Sequence, residues 1–246
     1  MIPRKIGLIG YPLKHSFSKS YFSQKIKDLG INDLLFENVE MRDIEDVFEY
    51  LTEHPELIGL AVTIPHKISI LPYLDAIDDF AQSIGSVNCL QIRDGKIKGY
   101  NTDAIGFEQS IRPLLKEHHK KALVLGSGGS SKTVIKVLNQ LGIETKVVSR
   151  NPIEDMIGYE ALTAEMMSQH LIVVNCSPVG MFPDVEASPE IPYEFITDQH
   201  LFYDLIYNPS QTVFLQKAKQ FGAETCNGLN MLHIQAEENW RIWNQR

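Results

Sequence analysis

The chain has 246 residues, 43% apolar and 22% charged, a composition that excludes a disordered or low-complexity protein and suits one large or two modest domains. Its 23 basic residues against 31 acidic leave a net charge of −8, which argues against nucleic acid or an anionic membrane as partner and leaves any bound anion to local charge. Three scattered cysteines (Cys89, Cys176, Cys226) make no disulfide framework and fit a reducing cytoplasm, while no run approaches the ~20 apolar residues of a membrane helix and the apolar stretch behind Arg4 and Lys5 is too short for an export signal.

Short β-rich runs alternate with helical patterns, the signature of α/β architecture with mainly parallel sheets. Strands are expected over 5–9, 34–38 and 58–62, with helices around 20–29 and 44–51, the latter capped by Asp43. After a helix near 78–84, runs over 87–92 and 96–100 flank Asp94-Gly95, a strong turn dipeptide, so an antiparallel hairpin should close this half. A second βαβ unit follows as strand 121–125, a helix at about 130–141 ended by Gly142, and strand 144–148. Strands over 171–175 and 201–204 and a helix around 212–221 extend it. In the last helix Leu232, Ala236, Trp240 and Trp243 share one stripe and should dock on a core. The expectation is two open, mainly parallel sheets. One domain covers 1–102, with the helix over 229–246 returning to it, and a second covers 103–228.

Gly126-Ser127-Gly128-Gly129 directly follows a strand and opens a helix, the place where glycines admit a pyrophosphate to free N–H groups and the positive end of the helix dipole. Ser131 stands where the third glycine of the usual fingerprint would fall. After the next strand comes Ser149-Arg150, where an acid would favour NAD; the guanidinium suits a 2′-phosphate, so NADP is the expected cofactor and NAD the alternative. Glu154 nearby acts against that preference.

Thr63-Ile64-Pro65-His66-Lys67 lies past the carboxyl end of a predicted strand, and Asn101-Thr102-Asp103 lies at the junction of the halves. Ligands of open α/β sheets bind outside those strand ends, and a lysine with an aspartate can share a proton during reaction at a hydroxyl or carbonyl. Taken singly, a residue such as Lys67 is more often a surface lysine and one such as Asp103 more often a helix N-cap. The loop from Gly10 to Ser18 offers hydroxyls for a carboxylate or polyol, with Ser18 as a simple helix cap the alternative. His118-His119 has no third ligand at useful spacing, so no metal is assigned, and Cys176 has no histidine partner that would make it a nucleophile.

The order and spacing of eight segments resemble the shikimate dehydrogenase family across nearly the whole chain: residues 10–18, 63–67, 85–88, 99–107, 126–129, 175–181, 204–212 and 228–235. The resemblance implies an N-terminal substrate domain, a Rossmann-like NADP-binding domain, and reversible reduction of 3-dehydroshikimate to shikimate in aromatic amino acid (chorismate) biosynthesis. It implies Lys67 and Asp103 as the catalytic pair, with Ser16, Ser18, Thr63, Lys67, Asn88, Asp103, Tyr207 and Gln235 on the substrate. For the cofactor it implies Gly126, Ser127, Gly128, Gly129, Ser149 and Arg150, together with Gly180, Met181 and Gly228. The protein is expected to be a cytoplasmic monomer or homodimer whose partner is its small-molecule substrate. Ala61, Lys19 and Phe22-Ser23 depart from the family pattern near the substrate, as Ser149, Asn151 and Glu154 do near the arginine. An NAD-using quinate/shikimate dehydrogenase and a non-catalytic dinucleotide sensor are the rival readings, the latter disfavoured by retention of both Lys67 and Asp103.

Overall fold

Branched apolar runs become central strands of two sheets because helices cover both of their faces. The computed structural model describes residues 3–13 and 17–245, and it divides into two units, Met1–Thr102 with Ala236–Arg246 and Asp103–Gln235.

The first unit contains β1 (Arg4–Gly10), α1 (Phe17–Asp28), β2 (Leu34–Glu40), α2 (Val47–Glu53), β3 (Leu57–Val62), α3 (His66–Ser69), β4 (Ala76–Ile77), α4 (Asp79–Ile84), β5 (Cys89–Arg93) and β6 (Lys96–Tyr100). Its sheet runs β2-β1-β3-β5-β6-β4, parallel among the first three strands and antiparallel through β5. Alternation along β1 sends Ile6 and Leu8 to one apolar cluster and Ile9 to the other. Asp94 and Gly95 take φ of 50° and 71°, the pair of left-handed residues a tight hairpin requires. The hairpin is not the edge, however. β4 pairs in parallel with β6 outside it, and two residues carry no readable periodicity. The expected cap at Asp43 also fails, since residues 44–46 form a 3₁₀ turn, α2 starts at Val47, and the Asp43 side chain makes no capping bond. Asp78, by contrast, accepts from the N–H groups of Phe80 and Ala81 and does cap α4.

The second unit opens with α5 (Asp103–Ile111) and continues as β7 (Lys121–Leu125), α6 (Gly129–Gln140), β8 (Glu144–Val148), α7 (Ala164–Gln169), β9 (Ile172–Asn175), β10 (Leu201–Asp204), α8 (Val213–Gln220) and β11 (Glu224–Cys226). The sheet is wholly parallel in the order β11-β10-β9-β7-β8. Leu123, Leu125, Val173 and Phe202 are fully buried in its core.

The last helix, α9 (Leu229–Asn244), passes from the second unit into the first. Its buried face carries Met231, Gln235, Ala236, Asn239, Ile242 and Trp243, so the expected stripe is displaced, with Leu232 and Trp240 only half-buried. In the first unit the Trp243 ring occupies the space a side chain on Gly59 would need, and its indole N–H donates to the Leu90 carbonyl at 2.9 Å. The Gln91 amide donates to the Ile242 carbonyl at 2.6 Å. The helix end is thus pinned to β5.

Both sheets share one topological feature. The chain leaves β1 to pair β2 on one side and then crosses to β3 on the other, and it leaves β7 for β8 and then crosses to β9. Each reversal opens a crevice at the carboxyl ends of the two diverging strands, the usual place for a ligand in such sheets.

Candidate active site

At the first reversal, Gly10 ends β1 and Thr63 follows β3. A side chain on Gly10 would strike the Thr63 methyl and come within 2.9 Å of the Ile64 carbonyl, so glycine is what lets the turn after β3 lie across the end of β1. That turn is stapled three ways. Thr63 N–H donates to the Ile9 carbonyl at 2.9 Å. His66 is buried, and its Nε2–H donates to the Met41 carbonyl at 2.6 Å. The Lys67 carbonyl accepts from Val87 N–H at 2.8 Å. Thr63 and Lys67 remain half-buried at the surface of this rigid turn.

Asn88 stands beside it. Its carbonyl accepts from Val62 N–H at 2.8 Å, its Oδ1 accepts from Thr102 N–H at 2.6 Å, and its Nδ2 donates to Thr102 Oγ1 at 3.0 Å. The next residue, Asp103, is buried as the first residue of α5 in the second unit. Ser18 is the second residue of α1 and not its cap, and Ser16 lies outside the described residues. Ala61 is buried in the apolar cluster that also holds Trp243, which accounts for an apolar residue there.

The second reversal repeats the device. Gly126 follows β7 with φ of 110°, and a side chain there would come within 3.3 Å of the Cys176–Ser177 backbone, which leaves β9. Gly128 is the N-cap of the twelve-residue α6, and nothing lies within 4 Å of where its side chain would be. An open N-terminus reached through glycines fits a pyrophosphate. Ser127, Gly128 and Gly129 all lie on that approach, whereas Ser131 is buried.

After β8, Ser149 is buried and its hydroxyl is exchanged with the Asn151 backbone at 3.2 and 3.3 Å, so it shapes the turn. Arg150 and Glu154 are exposed on the same loop. The loop returns to the sheet where Ser149 N–H donates to the Ile157 carbonyl at 2.9 Å.

Gly180, with φ of 94°, precedes the exposed Met181, while Gly228 N–H donates to the Ile206 carbonyl at 3.1 Å. Tyr207 is half-buried, and burial pushes its phenol up. Gln235 is buried on α9, its amide donating to the Leu232 carbonyl at 2.9 Å. The two adjacent imidazoles of His118 and His119 both donate to one carbonyl, that of Gln199, at 3.2 and 3.1 Å. Burial drives the Cys176 thiol up, away from the thiolate a nucleophile needs.

A network that sequence reasoning missed sets the loops after β9 and β10. Asp204 is wholly buried, and its carboxyl accepts from Thr212 Oγ1 at 2.6 Å, Asn175 Nδ2 at 3.0 Å and Ile206 N–H at 3.1 Å. Asn175 in turn accepts from Ser177 and donates to the Val179 carbonyl at 3.3 Å, one residue before Gly180. An acid that ends an otherwise apolar strand is itself the signal, because unpaired acids are almost never buried.

Two open sheets, one with a glycine turn feeding a helix and the other with a lysine-bearing turn at its reversal, define a two-unit α/β chain of the dinucleotide-binding kind. Residues 8–90 match the model of the shikimate dehydrogenase substrate binding domain. The shikimate dehydrogenase (NADP(+)) of Methanococcus maripaludis (strain C6) is 39% identical over 97% of this chain and 90% of its own, and that of Halothermothrix orenii is 35% identical over 97% and 90%. The crystal structure of shikimate 5-dehydrogenase from Thermus thermophilus in complex with NADP(H) and shikimate superposes with a TM-score of 0.86 at 30% identity, covering 98% of this chain and 93% of that one. The chain belongs to the shikimate dehydrogenase family, as the eight ordered segments lead one to expect.

The Asp204 network makes a prediction about pH. Burial raises its carboxyl to about 6 from the ordinary 3.8, so between those values the unfolded chain has released a proton that the folded chain keeps. Stability contributed by this group is complete below about pH 4 and falls by on the order of 3 kcal/mol as pH rises through about 6. Asp204→Asn should therefore abolish that decline. In urea titrations at several pH values, the wild-type unfolding free energy should drop relative to the variant's between pH ~4 and ~6.5, and parallel curves would contradict the assignment.

Proposed function

We propose that this chain catalyses the reversible, NADPH-dependent reduction of 3-dehydroshikimate to shikimate, a step of aromatic amino acid (chorismate) biosynthesis. The observation that carries the reading is the anchored turn after β3, which presents Thr63 and Lys67 beside Asn88 at the reversal of the first sheet, in a chain 39% identical to a shikimate dehydrogenase over almost its whole length.

The nicotinamide, when bound, supplies the hydride. Lys67 supplies the proton: as the ketone carbon takes up hydride, the Lys67 ammonium protonates its oxygen, and in the reverse direction the amine removes the proton of the hydroxyl. The hydrogen bonds on both sides of Lys67 fix the backbone from which its side chain reaches the substrate. Asp103 accepts a hydrogen bond from a substrate hydroxyl and completes the catalytic pair. Ser16, Ser18, Thr63, Asn88, Tyr207 and Gln235 are the proposed partners of the substrate's carboxylate and remaining hydroxyls.

The pyrophosphate belongs on the N–H groups at Ser127 to Gly129, where the α6 dipole favours negative charge and the missing side chain at Gly128 leaves room. Arg150 is proposed to read the 2′-phosphate. It is exposed directly after β8 and carries a planar donor fork suited to a phosphate. Glu154 on the same loop opposes it, so the preference for NADP over NAD is modest. The proposed locations of the nicotinamide beside Gly180 and Met181, with Gly228 nearby, follow the order of the loops after β9 and β11.

Two substitutions test the reading. Lys67→Ala should lower kcat for shikimate oxidation by about 10²–10⁴-fold, the usual scale of acid–base help, while an NADP titration gives nearly the wild-type Kd. A variant within about threefold of wild-type kcat would remove Lys67 from the mechanism. Arg150→Ala should reduce kcat/KM for NADP at least about tenfold and leave that for NAD little changed, since a charge-assisted bond to phosphate is worth roughly 1.5–3 kcal/mol. Equal losses with both cofactors would contradict the role of Arg150.

A further inference from the structure

Asn239 is an amide on the buried face of α9, only 1% exposed, in a helix whose neighbouring buried positions in the first unit are Ala236, Ile242 and Trp243. An amide in such a place costs free energy unless its bonds are made, so what it bonds is informative. It lies one turn before Trp243. The helix is fixed there by the indole bond to Leu90 and by Gln91 on the Ile242 carbonyl, so the Asn239 side chain has little freedom of approach.

Its Oδ1 lies 2.6 Å from Thr102 Oγ1. The same hydroxyl is 3.2 Å from Asn88 Oδ1 and 3.0 Å from Asn88 Nδ2. A hydroxyl has one proton to give and two lone pairs to receive with. Asn88 Oδ1 already takes Thr102 N–H at 2.6 Å, and the shorter contact to Asn239 is the better use of the hydroxyl proton. With that proton on Asn239, the lone pairs of Thr102 face Asn88 Nδ2, and Thr102 grips both ends of the Asn88 amide: N–H to Oδ1, and Oγ1 from Nδ2. Without Asn239, the remaining acceptor for the hydroxyl is Asn88 Oδ1, and turning toward it takes the lone pair away from Nδ2.

We propose that Asn239 is a positioning residue for substrate binding: by accepting the Thr102 hydroxyl proton it makes Thr102 an acceptor toward Asn88 and so fixes the orientation of the amide that the substrate meets. The proposal rests on the reading of Asn88 as a substrate contact. It adds a residue of the C-terminal helix that touches neither substrate nor cofactor.

The test is steady-state kinetics with shikimate and NADP. Asn239→Ala, a small and helix-favouring change, should raise KM for shikimate about three- to tenfold, the scale of one ordered hydrogen bond, with kcat within about threefold and KM for NADP within about twofold. Thr102→Val keeps the side-chain shape and should do the same, and adding Asn239→Ala to it should change KM by less than about twofold, because both act through one hydroxyl. A KM for shikimate within about twofold of wild type in Asn239→Ala, equal rises for both ligands, or effects of the two substitutions that multiply would each overturn the relay. Should Asn239→Ala fail to fold, Asn239→Ser, whose oxygen sits too close to the helix to reach Thr102, is judged by the same thresholds. A wild type that oxidises no shikimate would overturn the underlying reading and this proposal with it, whereas an active wild type beside an unaltered variant overturns the relay alone.

Discussion

Close backbone approach at the two sheet reversals is the constraint on which the rest of the structure depends. At each, the segment leaving the neighbouring strand crosses close over the end of the central strand: Thr63 and Ile64 leave no room for a side chain on Gly10, and Cys176 and Ser177 crowd Gly126, whose φ of 110° already favours glycine. Closeness there keeps the crevice floor made of backbone, with N–H and carbonyl groups that carry fixed partial charges and cannot swing away. In the first unit the crossing segment carries a lysine, and in the second it borders a helix N-terminus. One geometric device thus underlies both the proposed place of proton transfer and the proposed place of the phosphate.

Loops laid across strand ends need something to hold them, and here it is buried polarity. In the first unit an amide, a hydroxyl and a second amide (Asn88, Thr102, Asn239) tie β5, the end of β6 and α9 together. In the second, Asn175, Asp204 and Thr212 join the ends of β9 and β10 to the start of α8. Apolar packing would stabilise either place as well, but it would not dictate which atom faces which. A satisfied polar network leaves one arrangement of donors and acceptors, and a site for a polyhydroxylated acid needs that discrimination.

The central strands were legible because Ile6 to Ile9 and Ala122 to Leu125 are apolar on both faces, a pattern that only a covered sheet tolerates. β4 and β11 were not, since two and three residues hold no period. α5 falls in the segment that reads as a junction with Asp103 as a helix cap, and Ala104, Phe107 and Ile111, buried at helical spacing, are what extend it into a helix. Lys67 and Asp103 could be singled out because they sit beside strand ends. Asp204 and Asn239 could not be assigned a job, because their partners lie far away in sequence: Asn175 is 29 residues from Asp204 and Thr102 is 137 from Asn239. A polar residue on an apolar stripe shows in the sequence only as an exception, and its partner appears when the chain is folded. The same holds for Gly59, whose reason is a tryptophan at the other end of the chain.

The central claim is that this scaffold moves a hydride between the substrate carbon and a nicotinamide while its own side chains move only the proton. The most direct measurement uses shikimate carrying deuterium on the carbon that bears the oxidised hydroxyl, incubated with the protein and NADP, with the products analysed by mass spectrometry and NMR. The account predicts NADPH with the deuterium on its nicotinamide ring and unlabelled 3-dehydroshikimate in equal amount. NADPH without the label, label lost to water, or no reduced cofactor at all would contradict it.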